Sequence, residues 1–216
     1  MDETALYLAP AEYIDSDHPA IRDFAATATR GAVTPTDRAV ALYRAVRELY
    51  YAVEDLSDLA SFRASGVLAA GQGYCVGKAA VLAAACRASG IPARIAFADV
   101  TNHLTSPRLR AAMGTDTFVW HGYTELLLEG RWLKASPTFN SSLCKKLDVA
   151  PLEFDGSGDA LLQAYDSGGR RFMRYLVHHG NFHDVPAKFL SAEMLRRYPG
   201  LDRQRVAIEA DAAARA

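Results

Sequence analysis

The sequence predicts an α+β protein, with a helical front half packed on an antiparallel sheet. Three observations point there. A threonine-capped, proline-started stretch begins at Thr34. An alanine-rich run extends from Cys75 to Ser89 and stops at Gly90-Ile91-Pro92. Two strand-like runs are separated only by Glu129-Gly130.

Residues 12 to 18 are polar and turn-like, and Pro19 to Arg30 can form a first helix ended by Gly31. Thr34 offers a capping hydroxyl, Pro35 suits the first helical position, and Asp37 places an acid in the first turn. Ala39, Leu42, Tyr43, Val46 and Leu49 recur at core spacing, so this helix is expected to reach about Tyr51. Residues 54 to 74 read as an irregular connection with one helical turn near Gly66 to Ala70. From Cys75 to Ser89 the composition is strongly helical; Gly90 supplies a left-handed stop and Pro92 forbids resumption.

Arg94 to Val100 alternates as a strand does, and residues 101 to 116 read as a polar loop. Phe118 to Leu128 and Arg131 to Ala135 are the two runs that Glu129-Gly130 joins as a tight hairpin. Beyond Asn140 the pattern weakens: Gly156 to Gly158 and Ser167 to Gly169 mark loops, and Pro186 to Tyr198 and Leu201 to Arg215 read as closing helices. The whole is expected to be a single domain over residues 1–216, with its core at 35–140, an N-terminal helical extension at 1–34 and a C-terminal elaboration at 141–216.

Half of the 216 residues are apolar and 23% are charged, as in an ordinary globular protein. The formal net charge is -1 and basic residues are scattered, which argues against a nucleic-acid partner. No apolar run approaches the roughly 20 residues of a membrane span. The first ten residues, MDETALYLAP, lack the basic-then-apolar order of a signal peptide, so a cytoplasmic location is expected. Cys75, Cys86 and Cys144 are too few and too unevenly spaced for a disulfide framework or a zinc site, and no cofactor is expected.

Cys75 stands where the glycine-rich segment Gly71-Gln72-Gly73-Tyr74 enters a helix. Backbone N–H groups and the helix dipole favour thiolate there, and the thiolate is the nucleophile. The glycines would let a substrate carbonyl approach the backbone, and Gln72 could donate to the oxyanion beside the Cys75 N–H. The plainer reading is a packing cysteine on an alanine-rich helix. Cys86, eleven residues on and mid-helix, reads as core, and Cys144 as structural.

If Glu129-Gly130 is a two-residue loop, Leu128 pairs with Arg131, His121 lies opposite Thr138, and Tyr123 lies opposite Ser136. Those four side chains then share one sheet face, and His121 is a candidate base with a hydroxyl one diagonal away. The alternative is a satisfied strand histidine beside Trp120.

Together these segments, GQGYCVGKAAVLAAACRASGIPARIAFADV and HGYTELLLEGRWLKASPTFN, resemble the transglutaminase-like family, as does the preceding helix with LYRAVRELYYAV. That family pairs a Gly-x-Cys helix and a Gly-Ile-Pro-x-Arg strand entry with a His-led hairpin. The resemblance covers about residues 35 to 140 and implies a papain-like fold with acyl transfer through a thioester. Cys75 would attack an amide carbonyl and His121 would protonate the leaving amine. Its substrate would be a peptide, a protein or a small amide. One departure stands out: the family's Asp-Pro-Thr is here Ser136-Pro137-Thr138, so the third member of the triad brings no charge. Asn140, just beyond the strand, is an alternative third member, since neutral amides serve in that place elsewhere.

Two functional classes follow. One is a thiol hydrolase or acyltransferase (peptidase, amidase or deamidase) using Cys75 and His121; the other is a non-catalytic relative that binds a peptide or protein in its cleft. His178, His179 and His183 have ligand chemistry at close spacing, but Gly180 and Asn181 weaken any helix there, so the segment reads as a solvated or cleft-lining loop. The aromatics Tyr43, Tyr50 and Tyr51 read as packing.

Overall fold

A computed structural model describes residues 3–53, 55–103, 107–162, 166 and 168–199. In chain order the elements begin with helices α1 (Glu3–Leu6), α2 (Pro19–Ala28) and α3 (Pro35–Arg47), the short strand β1 (Tyr50–Tyr51), α4 (Ala64–Ala70) and the short strand β2 (Gln72–Gly73). Helix α5 (Cys75–Ala88), strand β3 (Ala93–Asn102), helix α6 (Pro107–Met113) and strands β4 (Thr117–Leu128) and β5 (Arg131–Ala135) form the middle. Helix α7 (Ser141–Leu147), strand β6 (Met173–Phe182) and helix α8 (Ala187–Arg197) follow. The main sheet has the order β5-β4-β3-β6, antiparallel throughout; β1 and β2 form a separate parallel pair.

Helix α5 is the centre of the fold, with every residue from Val76 to Arg87 buried. It lies between α2, α3 and α4 on one side and β3 and β4 on the other. A helix enclosed on all sides needs no polar face, and its alanines let neighbouring backbones come close. Gly90 takes φ 76° just past its end, as a left-handed stop requires.

The hairpin has the predicted register, Leu128 opposite Arg131 through Thr124 opposite Ala135. Glu129 and Gly130 both have positive φ, 50° and 76°, the type I′ turn that matches strand twist. Pairing ends at Ala135. Beyond it the Ser136 N–H donates to Ala160 instead, so Ser136-Pro137-Thr138 leaves the ladder and the projected pairing of His121 with Thr138 is not made as strand pairing.

Three expectations need correction. The capping box at Thr34 and Asp37 forms, but α3 stops at Arg47 rather than near Tyr51, and Tyr50-Tyr51 pairs with β2. Residues 101–116 are not simply loop, because they contain α6. The histidine segment 178–182 is not a loop: it belongs to β6, paired with β3. The expected helix at 201–215 lies outside the described residues.

The early end of α3 has a long-range cause. Lys78, wholly buried on α5, donates to the carbonyl oxygens of Arg47 (2.8 Å) and Leu49 (2.7 Å), groups a helix end leaves unpaired. Its third hydrogen goes to the Thr138 carbonyl, 2.7 Å away. Three donors require the ammonium form. Burial pulls its pKa down, to about 7, against the opposing pull of Glu48. One cation thus ties α5, the end of α3 and the segment after β5 together.

Substitution Lys78→Met leaves those three buried carbonyls without donors. It is expected to cost ~3 kcal/mol or more and to lower the thermal midpoint by roughly 10 °C. Lys145→Met, at an exposed position on α7, serves as the near-neutral control in the same circular-dichroism melt.

Candidate functional site

Strand β4 crosses the first turn of α5 at very close range. A Cβ on Gly122 would fall 2.8 Å from the Val76 Cα and 3.2 Å from its Cγ2, closer than packed atoms come. Only glycine allows this approach. It brings the Gly122 backbone close to Cys75, and the nearby N–H groups of Gly122, Val76 and Cys75 itself each draw the pKa of the thiol down. His121 is the residue immediately before Gly122, so the same contact carries it to the Cys75 end of the helix. Cys75 and His121 line one cavity.

His121 is buried, and its Nε2 lies 3.3 Å from the Ser136 hydroxyl. That hydroxyl lies 3.1 Å from the Thr138 hydroxyl, and the nearby Tyr175 phenol accepts from the Leu162 N–H at 3.3 Å. The Tyr175 ring meets the imidazole edge to face, with centroids 6.0 Å apart. His121 therefore sits among neutral hydroxyls. Burial drags its pKa down to about 4, with no charged group opposing it. Burial likewise raises Cys75, to about 11, outweighing the nearby backbone N–H groups and the positive charge of Lys78. The helix start alone would favour thiolate; desolvation wins. At rest the pair is thiol and neutral imidazole.

The cavity, mouth included, encloses about 430 Å³. Tyr51, Tyr74, Phe118, Met113, Met194 and Tyr198 contribute walls, and no Asp, Glu, Lys or Arg lines it among the described residues. The phenols of Tyr51 and Tyr74 are buried near Cys75: burial, then the charge its thiolate would carry, push both well above the ordinary tyrosine range. The Tyr74 hydroxyl is turned to the Met194 sulfur, 4.0 Å away.

Gln72 lies in β2, opposite Tyr50 and outside the cavity lining. The glycines beside it are structural rather than openings for substrate: Gly71 caps α4 in the left-handed conformation, and Gly73 faces the Val67 side chain, which a Cβ would strike at 2.8 Å. The amide oxygen of Asn140 accepts from the Tyr51 N–H (3.2 Å) and its nitrogen donates to Ser142 (2.6 Å), while Ser136 holds the place next to the imidazole. Cys86 and Cys144 are both buried, and all three cysteines are free thiols. Among the described residues no group of three or more His, Cys, Asp or Glu is placed to hold a metal ion. His179 instead meets Asp99, and His178 stacks on Tyr175. No helix among the described residues is long and apolar enough to cross a membrane.

Tyr51, Lys78 and Gly122 escape a reading by motif. Tyr51 passes for helix-surface packing, and Lys78 for an ordinary helix charge. The glycine directly after His121 was the one visible hint of a close backbone crossing.

Comparison with known proteins bears on the fold. A solved structure of a candidate cysteine protease from Cytophaga hutchinsonii superposes with a TM-score of 0.55 at 18% identity, covering 87% of this chain and 49% of the other. The present chain thus spans about half the length of that protein, and at such identity the likeness speaks for a papain-like α+β fold alone. A candidate protease from Parabacteroides distasonis gives a TM-score of 0.41 at 16% identity, covering 62% of this chain and 26% of that one. No curated protein matches the sequence. The family model for the transglutaminase-like superfamily matches residues 22–137, more than half of the chain, and the protein belongs to that superfamily.

Proposed function

We propose that the protein is a cysteine-dependent amide hydrolase or acyltransferase that works through a thioester on Cys75. The observation that supports this reading is the crossing at Gly122, beside which Cys75 and His121 line one cavity. Ser136 engages Nε2, leaving Nδ1 as the nitrogen for the thiol proton. The imidazole takes that proton as sulfur bonds to the carbonyl carbon. It then gives the proton to the leaving amine as the C–N bond breaks, and water or a second amine releases the acyl group. The Cys75 N–H and the Tyr51 phenol, which lines the cavity as Gln72 does not, would face the oxyanion.

Because the resting pair is neutral, attack creates an imidazolium in a buried, uncharged setting. Ser136 can orient the ring but cannot neutralise it. Such a site suits chemistry in which the proton is passed on quickly to the leaving amine. A cavity without charged walls suits an apolar or uncharged group beside the scissile carbonyl, in a peptide, a protein or a small amide.

Iodoacetamide labelling near neutral pH, read by peptide mass spectrometry, tests the pair. Cys75 is expected to alkylate much faster than Cys86 and Cys144, and His121→Ala is expected to slow it about tenfold or more. Three equally sluggish thiols would point instead to a peptide-binding relative without catalysis. Gly122→Ala forces β4 away from Val76 and is expected to slow Cys75 labelling by a similar factor in protein that remains folded.

The protonation states predict a second behaviour. Folded His121 stays neutral down to about pH 4, whereas an ordinary histidine binds its proton near 6.5. Between those values the unfolded chain holds more protons, so stability is lost as pH falls through this window, by up to ~3 kcal/mol from this residue. Urea unfolding at pH 4.5 and 7 is expected to show a smaller pH effect in His121→Ala than in the native chain.

A further inference from the structure

Pairing of β3 with β4 slips between Ala98 and Val100, where Asp99 faces both Val119 and Trp120. On the other side, pairing with β6 slips between Phe97 and Ala98, leaving His179 as the extra residue. Two β-bulges therefore flank β3 at one level. Their inserted rings, Trp120 and His179, stack on each other with centroids 4.0 Å apart at 20°. Trp120 has φ 57°, a left-handed conformation that a bulky side chain rarely adopts.

One carboxylate oxygen holds this arrangement. Asp99 Oδ1 accepts the Trp120 N–H at 3.0 Å and meets His179 Nε2 at 2.7 Å. Just upstream, the Val119 N–H donates to the Tyr198 hydroxyl (2.6 Å), which donates to the Thr117 carbonyl (2.9 Å). The strand leading to His121 is thus held by side chains where its ladder is interrupted. A regular strand would put residues 118 and 121 on opposite faces. A bulge shifts the alternation by one, and Phe118 and His121 both reach the cavity.

We propose that Asp99 is a positioning residue for His121: by holding the Trp120 bulge it sets where the imidazole stands against Cys75. The inference rests on the reading of His121 as the base. This chain lacks the family's aspartate beside the imidazole and has one acting on the backbone just before it.

Cys75 labelling by iodoacetamide tests the inference in Asp99→Ala, Asp99→Asn, His121→Ala and the double variant Asp99→Ala/His121→Ala. Asp99→Ala is expected to slow Cys75 about tenfold. Asp99→Asn, which keeps the acceptor oxygen, is expected to stay within about twofold of the native rate. The double variant should be no slower than His121→Ala alone, within about twofold, because both changes act through one imidazole. His179→Ala, at a more exposed position, is a milder arm, expected to slow Cys75 about threefold should Asp99→Ala not fold. An unchanged rate in both Asp99→Ala and His179→Ala, with His121→Ala slow, would overturn this inference while leaving the base in place. Full additivity in the double variant would overturn it too. A normal rate in His121→Ala would overturn the base itself and this inference with it.

Discussion

The site depends on an approach of backbone to backbone. Where β4 passes the first turn of α5 there is no room for a methyl group, and the glycine at 122 is what allows sheet and helix to touch. The consequence is geometric before it is chemical. A histidine on a strand and a cysteine at a helix start line one cavity because the residue after the histidine is reduced to glycine. The buried, alanine-rich character of α5 serves the same end, since a helix pressed against a sheet along its length cannot shift without disturbing the core.

That closeness is bought with desolvation. Burial of His121 and partial burial of Cys75 set the direction in which each titrates, and the N–H groups and helix dipole near the sulfur do not reverse it. Hydroxyls rather than charges surround the imidazole, so the ring is oriented without being polarised. Asp99, on β3, faces the backbone of Trp120 rather than the imidazole of His121 and serves the shape of the strand. Charge and geometry are handled by different residues here.

Much of this was legible in the sequence wherever the signal was local. The capping box at Thr34, the glycine stop at Gly90 and the Glu129-Gly130 turn each act over a few residues, and the helix and hairpin they delimit occur as read. Cys75 and His121 could be named from segments on either side of that stop, and the hairpin register pointed to Ser136. Elements governed by distant partners were not legible. Helix α3 ends where Lys78 reaches its carbonyls, not where its apolar spacing fades. Strand β6 lost its period-two signature because two register slips interrupt it and, as an edge strand, it exposes most of its residues. Asp99, Tyr51 and Lys78 carry no motif, since each acquires its role only from the segments that fold against it.

Lys78 also bears on the order in which the molecule can be completed. Its three acceptors come from residues 47, 49 and 138, so this anchor of α5 is complete only once the chain has been made and folded past the hairpin. During synthesis a ribosome-bound fragment would present the cysteine long before its surroundings exist. The surroundings of Cys75 are therefore completed late, when distant stretches close on a single ammonium group.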